Sequence, residues 1–150
     1  MQTVTERFSK KYQSSADVSR IIAEDVQQYL QEHAVSEQVI SELELCLVEI
    51  VNNAYEHAYK YHDNMPIECS CFINGSNELV FEVSDYGESM TEIEFERAVS
   101  ADFIEPDPED PSTWTTSGRG FIIVAQLTDD LKYTQGKEKN TFKFLKRNIN

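Results

Sequence analysis

The segment LVEIVNNAYEHAYKY, residues 47–61, sets an acid, an amide and an imidazole at four-residue intervals: Glu49, Asn53 and His57. On an α-helix that spacing returns to one face. At about 100° per residue, Leu43, Leu47, Ile50, Val51, Ala54 and Ala58 form a broad apolar arc, and the three polar residues run along its edge. They therefore stand where a helix leaves the core and meets a cleft. A plain polar border would give the same pattern, so the stripe alone decides nothing. Its chemistry suggests more. The amide oxygen of Asn53 is a hard ligand suited to a magnesium ion that keeps its waters and binds phosphates. Glu49, one turn away, is placed to take a proton from an attacking hydroxyl or water. His57 can orient its neighbours or hold a phosphate, and no second His or Cys at ligand spacing joins it as a metal ligand.

Two further segments carry possible chemistry. FEVSDYGESM ends an apolar strand on Asp85-x-Gly87. A carboxylate at a strand end can accept a hydrogen bond from an exocyclic amino group such as adenine's, and a glycine lets the backbone approach a flat ring. Asp and Gly also favour ordinary turns. SGRGFIIVAQLTDD places Gly118 and Gly120 just before a helical pattern. Backbone N–H groups freed there face an anion at the helix N-terminus, and Arg119 can add a charge. The plainer reading is a flexible loop end.

The elements that must hold these residues follow from periodicity. Residues 3–9 alternate loosely and predict a first strand. Residues 16–33 place Val18, Ile21, Ile22, Val26, Tyr29 and Leu30 on one side of an amphipathic helix. A second helix starts at Ser36 or Glu37 and runs to about Lys60. After the loop closed by Pro66, IECSCFIN and ELVFEVSD flank Gly75-Ser76-Asn77 as a hairpin. TEIEFERAV is a short helix after Met90. Residues 101–117 contain Pro106, Pro108 and Pro111 without periodicity, a length of loop that is often a functional lid. A helix restarts at the glycines, and a last hairpin turns around Gly136. Strands cluster in hairpins instead of alternating with helices. The fold class expected is α+β: a two-layer sandwich with helices on one face of a mixed, mainly antiparallel sheet.

With 150 residues, 40% of them hydrophobic, the chain suits one domain spanning 1–150. Asp and Glu number 27 against 13 Lys and Arg, a net charge of −14, which argues against nucleic acid as a partner. The positive residues Lys137, Lys139, Lys143, Lys146 and Arg147 crowd the C-terminus and read as a solvated hairpin. No apolar run is long enough for a membrane span or a signal peptide, so the expected location is the cytoplasm, without membrane contact. Cys46, Cys69 and Cys71 have neither zinc nor disulfide spacing and read as small buried hydrophobes.

In this order and spacing the three motif segments resemble the N, G1 and G2 boxes of the GHKL ATPase superfamily, which includes gyrase, a heat-shock chaperone, histidine kinases and a mismatch-repair protein. More narrowly, LVEIVNNAYEHAY with SGRGFIIVAQLTDDLKY is similar to the anti-sigma factor serine/threonine kinases of bacterial partner switching. The resemblance implies a Bergerat-type site for ATP and Mg2+. Glu49 matches the catalytic acid and Asn53 the magnesium ligand. His57, Asp85, Gly87, Met90, Thr116, Ser117, Gly118, Arg119 and Gly120 match nucleotide-binding positions. It also implies a STAS-domain anti-anti-sigma partner, a sigma factor or similar regulator, and a homodimer. Two departures stand out. Ser89 replaces the second glycine of the usual D-x-G-x-G, and the stretch EPDPEDPSTWTTS carries no Lys or Arg. Two functions remain open: an active kinase, or an ATP-binding module that regulates a phosphatase or sigma factor by docking alone.

Overall fold

The computed structural model describes residues 6–100, 109 and 120–150. Its elements in chain order are β1 (Phe8–Gln13), α1 (Val18–Glu32), α2 (Glu37–Asn53) with a π-helical turn (Ala54–Ala58), β2 (Pro66–Ile73), β3 (Leu79–Asp85), α3 (Glu92–Ser100), α4 (Gly120–Leu127), β4 (Asp130–Gln135) and β5 (Asn140–Lys146). The strands form one five-stranded sheet in the order β1-β2-β3-β5-β4. Every pairing among the described residues is antiparallel, so the expected α+β class holds and the sheet is more uniform than expected.

Alternation decides the layering. Ile67, Cys69, Cys71 and Ile73 of β2 point to one face, as do Leu79, Phe81 and Val83 of β3 and Phe142 and Phe144 of β5. All belong to one core with Val26, Leu30, Leu43, Leu47, Ile50 and Val51 of the helices. The Phe81 and Phe144 rings stack across this core at 4.8 Å. The opposite sheet face is polar, with Lys143 near Glu82 and Ser84 bonded to Thr141 at 2.8 Å. The C-terminal cations pair widely: Lys139 with Glu68, Lys146 with Glu42 and Arg147 with Glu78. The three cysteines are free and buried, and burial pushes the Cys46 and Cys69 thiols up to about 12, which leaves them inert.

Three sequence expectations need correction. The first strand is residues 8–13, not 3–9, and residues 3–5 lie outside the described ones. Its register sets Phe8 against Cys71 and Tyr12 against Ile67, with Lys10 between them reaching Asp25 at 3.0 Å. A lysine on the apolar face hid the alternation. Ile21 is 40% exposed and stands outside the core stripe of α1. The second helix does not run regularly to Lys60: α-helical geometry stops at Asn53, and Tyr59 N–H bonds the Ala54 carbonyl five residues back at 2.9 Å. No helix among the described residues is long and apolar enough to cross a membrane.

Candidate functional site

The π-turn sits where it matters. Such turns are rare and concentrate at functional sites. Here the extra residue turns the Ala58 carbonyl outward, where it accepts the Glu88 N–H at 2.9 Å. It also buries the Tyr59 ring, which is 4% exposed. The Tyr59 hydroxyl donates to the Pro66 carbonyl and accepts the Tyr86 N–H at 2.7 Å. Gly87 completes the joint. A Cβ at this position would overlap the Ala58 carbonyl oxygen and lie 2.7 Å from its carbon. The bare Cα of Gly87 therefore meets the helix end. Lys60 and Tyr61 reverse the chain at φ of 50° and 64°. The result is a turn after β3 fastened to the end of α2.

That joint frames a cavity of about 200 Å³. Asn53 and His57 reach it from α2, Asp85, Ser89 and Met90 from the turn, and Tyr133 and Phe142 from β4 and β5. Tyr133 and Phe142 pack at 4.6 Å with their planes tilted by 47° and give the cavity an aromatic lining. The Tyr133 hydroxyl accepts the Met90 N–H at 3.0 Å, which fixes the Met90 backbone beside that ring. The charged lining is Lys60 against Asp85, Glu88 and Glu94.

Asp85 is 3% exposed. Its Oδ1 accepts the Gly87 N–H at 3.0 Å and the Asn140 side-chain amide at 3.1 Å. Burial holds its carboxyl above the usual aspartate range, and those two donors pull it partly back. Glu49 is half-buried and stands one turn before Asn53, about 6 Å along the axis. It is not part of the cavity lining. Burial also raises its carboxyl, helped by repulsion from Glu56. Among the described residues no hydrogen bond or ion pair reaches the side chains of Glu49, Asn53 or His57.

The structure thus brings Asn53, His57, Asp85 and Met90 together, sets Gly87 behind them and leaves Glu49 one turn off. Gly120 is the first residue of α4. Thr116, Ser117, Gly118, Arg119 and the proline-rich stretch up to residue 117 lie outside the described residues, apart from position 109. The donor chemistry fits an adenine nucleotide with magnesium: a buried acceptor, aromatic rings and an uncommitted amide line the same cavity. Sequence reading missed Tyr59, Tyr133, Asn140 and Phe142. The last hairpin was read as a whole, and no local signal tied Phe142 or Asn140 to Asp85.

The family model described as histidine kinase-like ATPase domain matches residues 13–146. No curated protein matches the chain. Among solved structures, the RsbU and RsbW domains of a Mycobacterium tuberculosis protein align at TM-score 0.67 and 15% identity, over 95% of this chain. This chain spans only 32% of that one. The Pseudomonas aeruginosa SiaB–SiaC complex aligns at TM-score 0.64 and 13% identity, over 96% of this chain and 90% of that one. The histidine kinase domain of a blue-light activated kinase from Erythrobacter litoralis gives 0.52 and 16%, over 85% of this chain and 58% of that one. At such identities the likeness is one of fold.

Proposed function

Because the chain belongs to the histidine kinase-like ATPase domain family, we propose that it is an ATP- and Mg2+-dependent serine/threonine-protein kinase of the anti-sigma type. In this reading residues 1–150 act as one domain in the cytoplasm. The chain phosphorylates a STAS-domain anti-anti-sigma protein and sequesters a sigma factor or similar regulator, acting as a homodimer. The observation that carries the nucleotide part is Asp85: a buried carboxylate, bonded by protein donors at Oδ1, lining one cavity with Tyr133 and Phe142. An exocyclic amino group fits it, and Met90 would flank the base.

Asn53 would hold the magnesium, with His57 beside it, and Thr116, Ser117, Gly118, Arg119 and Gly120 would face the phosphates. Bound magnesium supplies charge neutralisation on the phosphates. Phosphoryl transfer otherwise rests on positioning. Glu49 would accept the proton of the acceptor hydroxyl; its burial-raised carboxyl moves it toward the range useful for a base. The likeness to structures titled for RsbW and SiaB supports a partner-switching role.

One observation favours a second reading, an ATP-binding module that regulates a phosphatase or sigma factor by docking alone. Lys60 is the only cation lining the cavity among the described residues, and it is paired with Glu88 at 2.9 Å. Terminally labelled Mg-ATP, incubated with the chain and a STAS-domain protein, separates the two. Label on a serine or threonine of the partner is the expected result. ATP binding and complex formation without label would replace the kinase by the module.

A further inference from the structure

We infer that Asn140 is a positioning residue for nucleotide recognition: its side-chain amide fixes which oxygen of Asp85 faces the base, and so sets the preference for adenine. This rests on the nucleotide reading above and names a determinant of its selectivity.

The position follows from sheet register. Asn140 opens β5 directly across from Asp85 at the end of β3. It is 4% exposed, so its polar atoms must be used inside the protein. Its Nδ2 donates to Asp85 Oδ1 and to the Gly87 carbonyl, both at 3.1 Å. Both neighbours are acceptors, so the amide nitrogen must face them and the side chain cannot flip without setting acceptor against acceptor.

The consequence lies on Asp85. Oδ1 already takes the Gly87 N–H at 3.0 Å, and Asn140 supplies a second donor. Two donors occupy that oxygen's lone pairs. Among the described residues no donor reaches Oδ2, which is left to read a ligand. An acceptor held in this way matches an amino group and rejects a keto oxygen. Without Asn140 the carboxylate is held at one point only. It can swing, or take up the proton that burial already favours. A protonated Asp85 donates as well as accepts, and would then welcome a keto base.

The test compares ATP with inosine triphosphate, which carries a keto oxygen in place of the amino group. Calorimetric dissociation constants with magnesium are measured for the parent, Asn140→Ala and the isosteric Asn140→Asp. The parent should prefer ATP. Both variants should lose at least about tenfold of that preference, roughly the weight of one hydrogen bond to a charged group. An unchanged preference with a lowered melting temperature would make Asn140 merely structural and overturn the inference. A parent that binds both nucleotides equally would remove Asp85 as base reader, and this inference with it, before any variant is compared. Should neither variant fold, NMR of the parent decides. The Asn140 side-chain amide protons should shift on saturation with ATP and differently with inosine triphosphate. Identical shifts would count against the role.

Discussion

The side chain of Asp85 receives its hydrogen bonds from the chain itself; that of Glu49, among the described residues, receives none. Both carboxyls are raised by burial, yet they are treated differently. Asp85 is braced by Asn140 and the Gly87 N–H, and its turn is fastened to the π-turn through Ala58 and Tyr59. Glu49 has only the neighbouring charge of Glu56, which makes matters worse. One end of the site is thus built by folding. The other keeps an acid and an amide uncommitted, at a cost in stability, as a group awaiting a ligand or a reacting proton would be kept. The contrast predicts that changes at the base end damage the fold and recognition together, while changes at Glu49 separate chemistry from stability.

The largest effect should come from Glu49→Gln. Removing a general base costs roughly a hundredfold or more in transfer rate, while ATP affinity should stay near the parental value. Stability gives an independent check. The folded chain holds a proton on Glu49 more tightly than the unfolded chain does, because its carboxyl is raised above 4.5. That contribution is fully present below the unfolded value and is lost as pH rises through the raised folded value. At neutral pH the ionised group therefore costs stability. The glutamine variant should melt no lower than the parent at pH 7, with the gap closing as pH falls toward 4.5. A variant that transfers phosphate at the parental rate would return Glu49 to the polar border of an ordinary helix.

Gly87→Ala should show the opposite coupling. The added methyl meets the backbone of Ala58 and the Tyr59 ring, neither of which is a flexible side-chain end. Overpacking of this kind costs about 1–3 kcal/mol, readable as a lower urea midpoint. Because the same shift drags Asp85, ATP affinity should fall with it. Parental stability in this variant would mean that the turn is free to move away from the helix, and the contrast between the two ends would collapse.

These differences explain what could be read in the sequence and what could not. Asn53 and His57 are four residues apart across the end of α2, so their spacing marked two residues that line the cavity, while Glu49 lies one turn before them and outside it. Asp85 and Gly87 share one turn, and their types marked it. Both hairpins and the α+β layering were legible because β2 alternates cleanly, β3 is an apolar run bounded by turn residues, and β5 sets Phe142 and Phe144 two apart. Asn140 could not be assigned, because its role depends on the register Asp85↔Asn140, a pairing 55 residues apart in the chain. The π-turn was hidden because the apolar spacing of α2 continues smoothly through Ala54 and Ala58. Its cause lies in the Glu88 N–H and the missing Cβ of Gly87, both from another part of the chain. Local pattern gave the candidate site residues; the residues that brace Asp85 are set by tertiary contact.

The smallest effect should be found at the one ion pair that also joins the helix end to the turn. Lys60 and Glu88 approach to 2.9 Å, but their side chains are 69% and 65% exposed. At such exposure the attraction is screened by water and salt, and two long side chains must be ordered to make it. Pairs of this kind contribute at most about 1 kcal/mol. If buried hydrogen bonds hold the turn, breaking the pair should be nearly silent. A double-mutant cycle with Lys60→Ala and Glu88→Ala should give a coupling energy below about 0.5 kcal/mol, fading at 1 M salt, where the screening length shrinks to about 3 Å. ATP affinity should change little in Glu88→Ala, apart from a modest gain at low salt from removing an acid beside the phosphates. A large, salt-resistant coupling would mean that surface charge, not the Ala58–Gly87–Tyr59 joint, sets the position of Asp85.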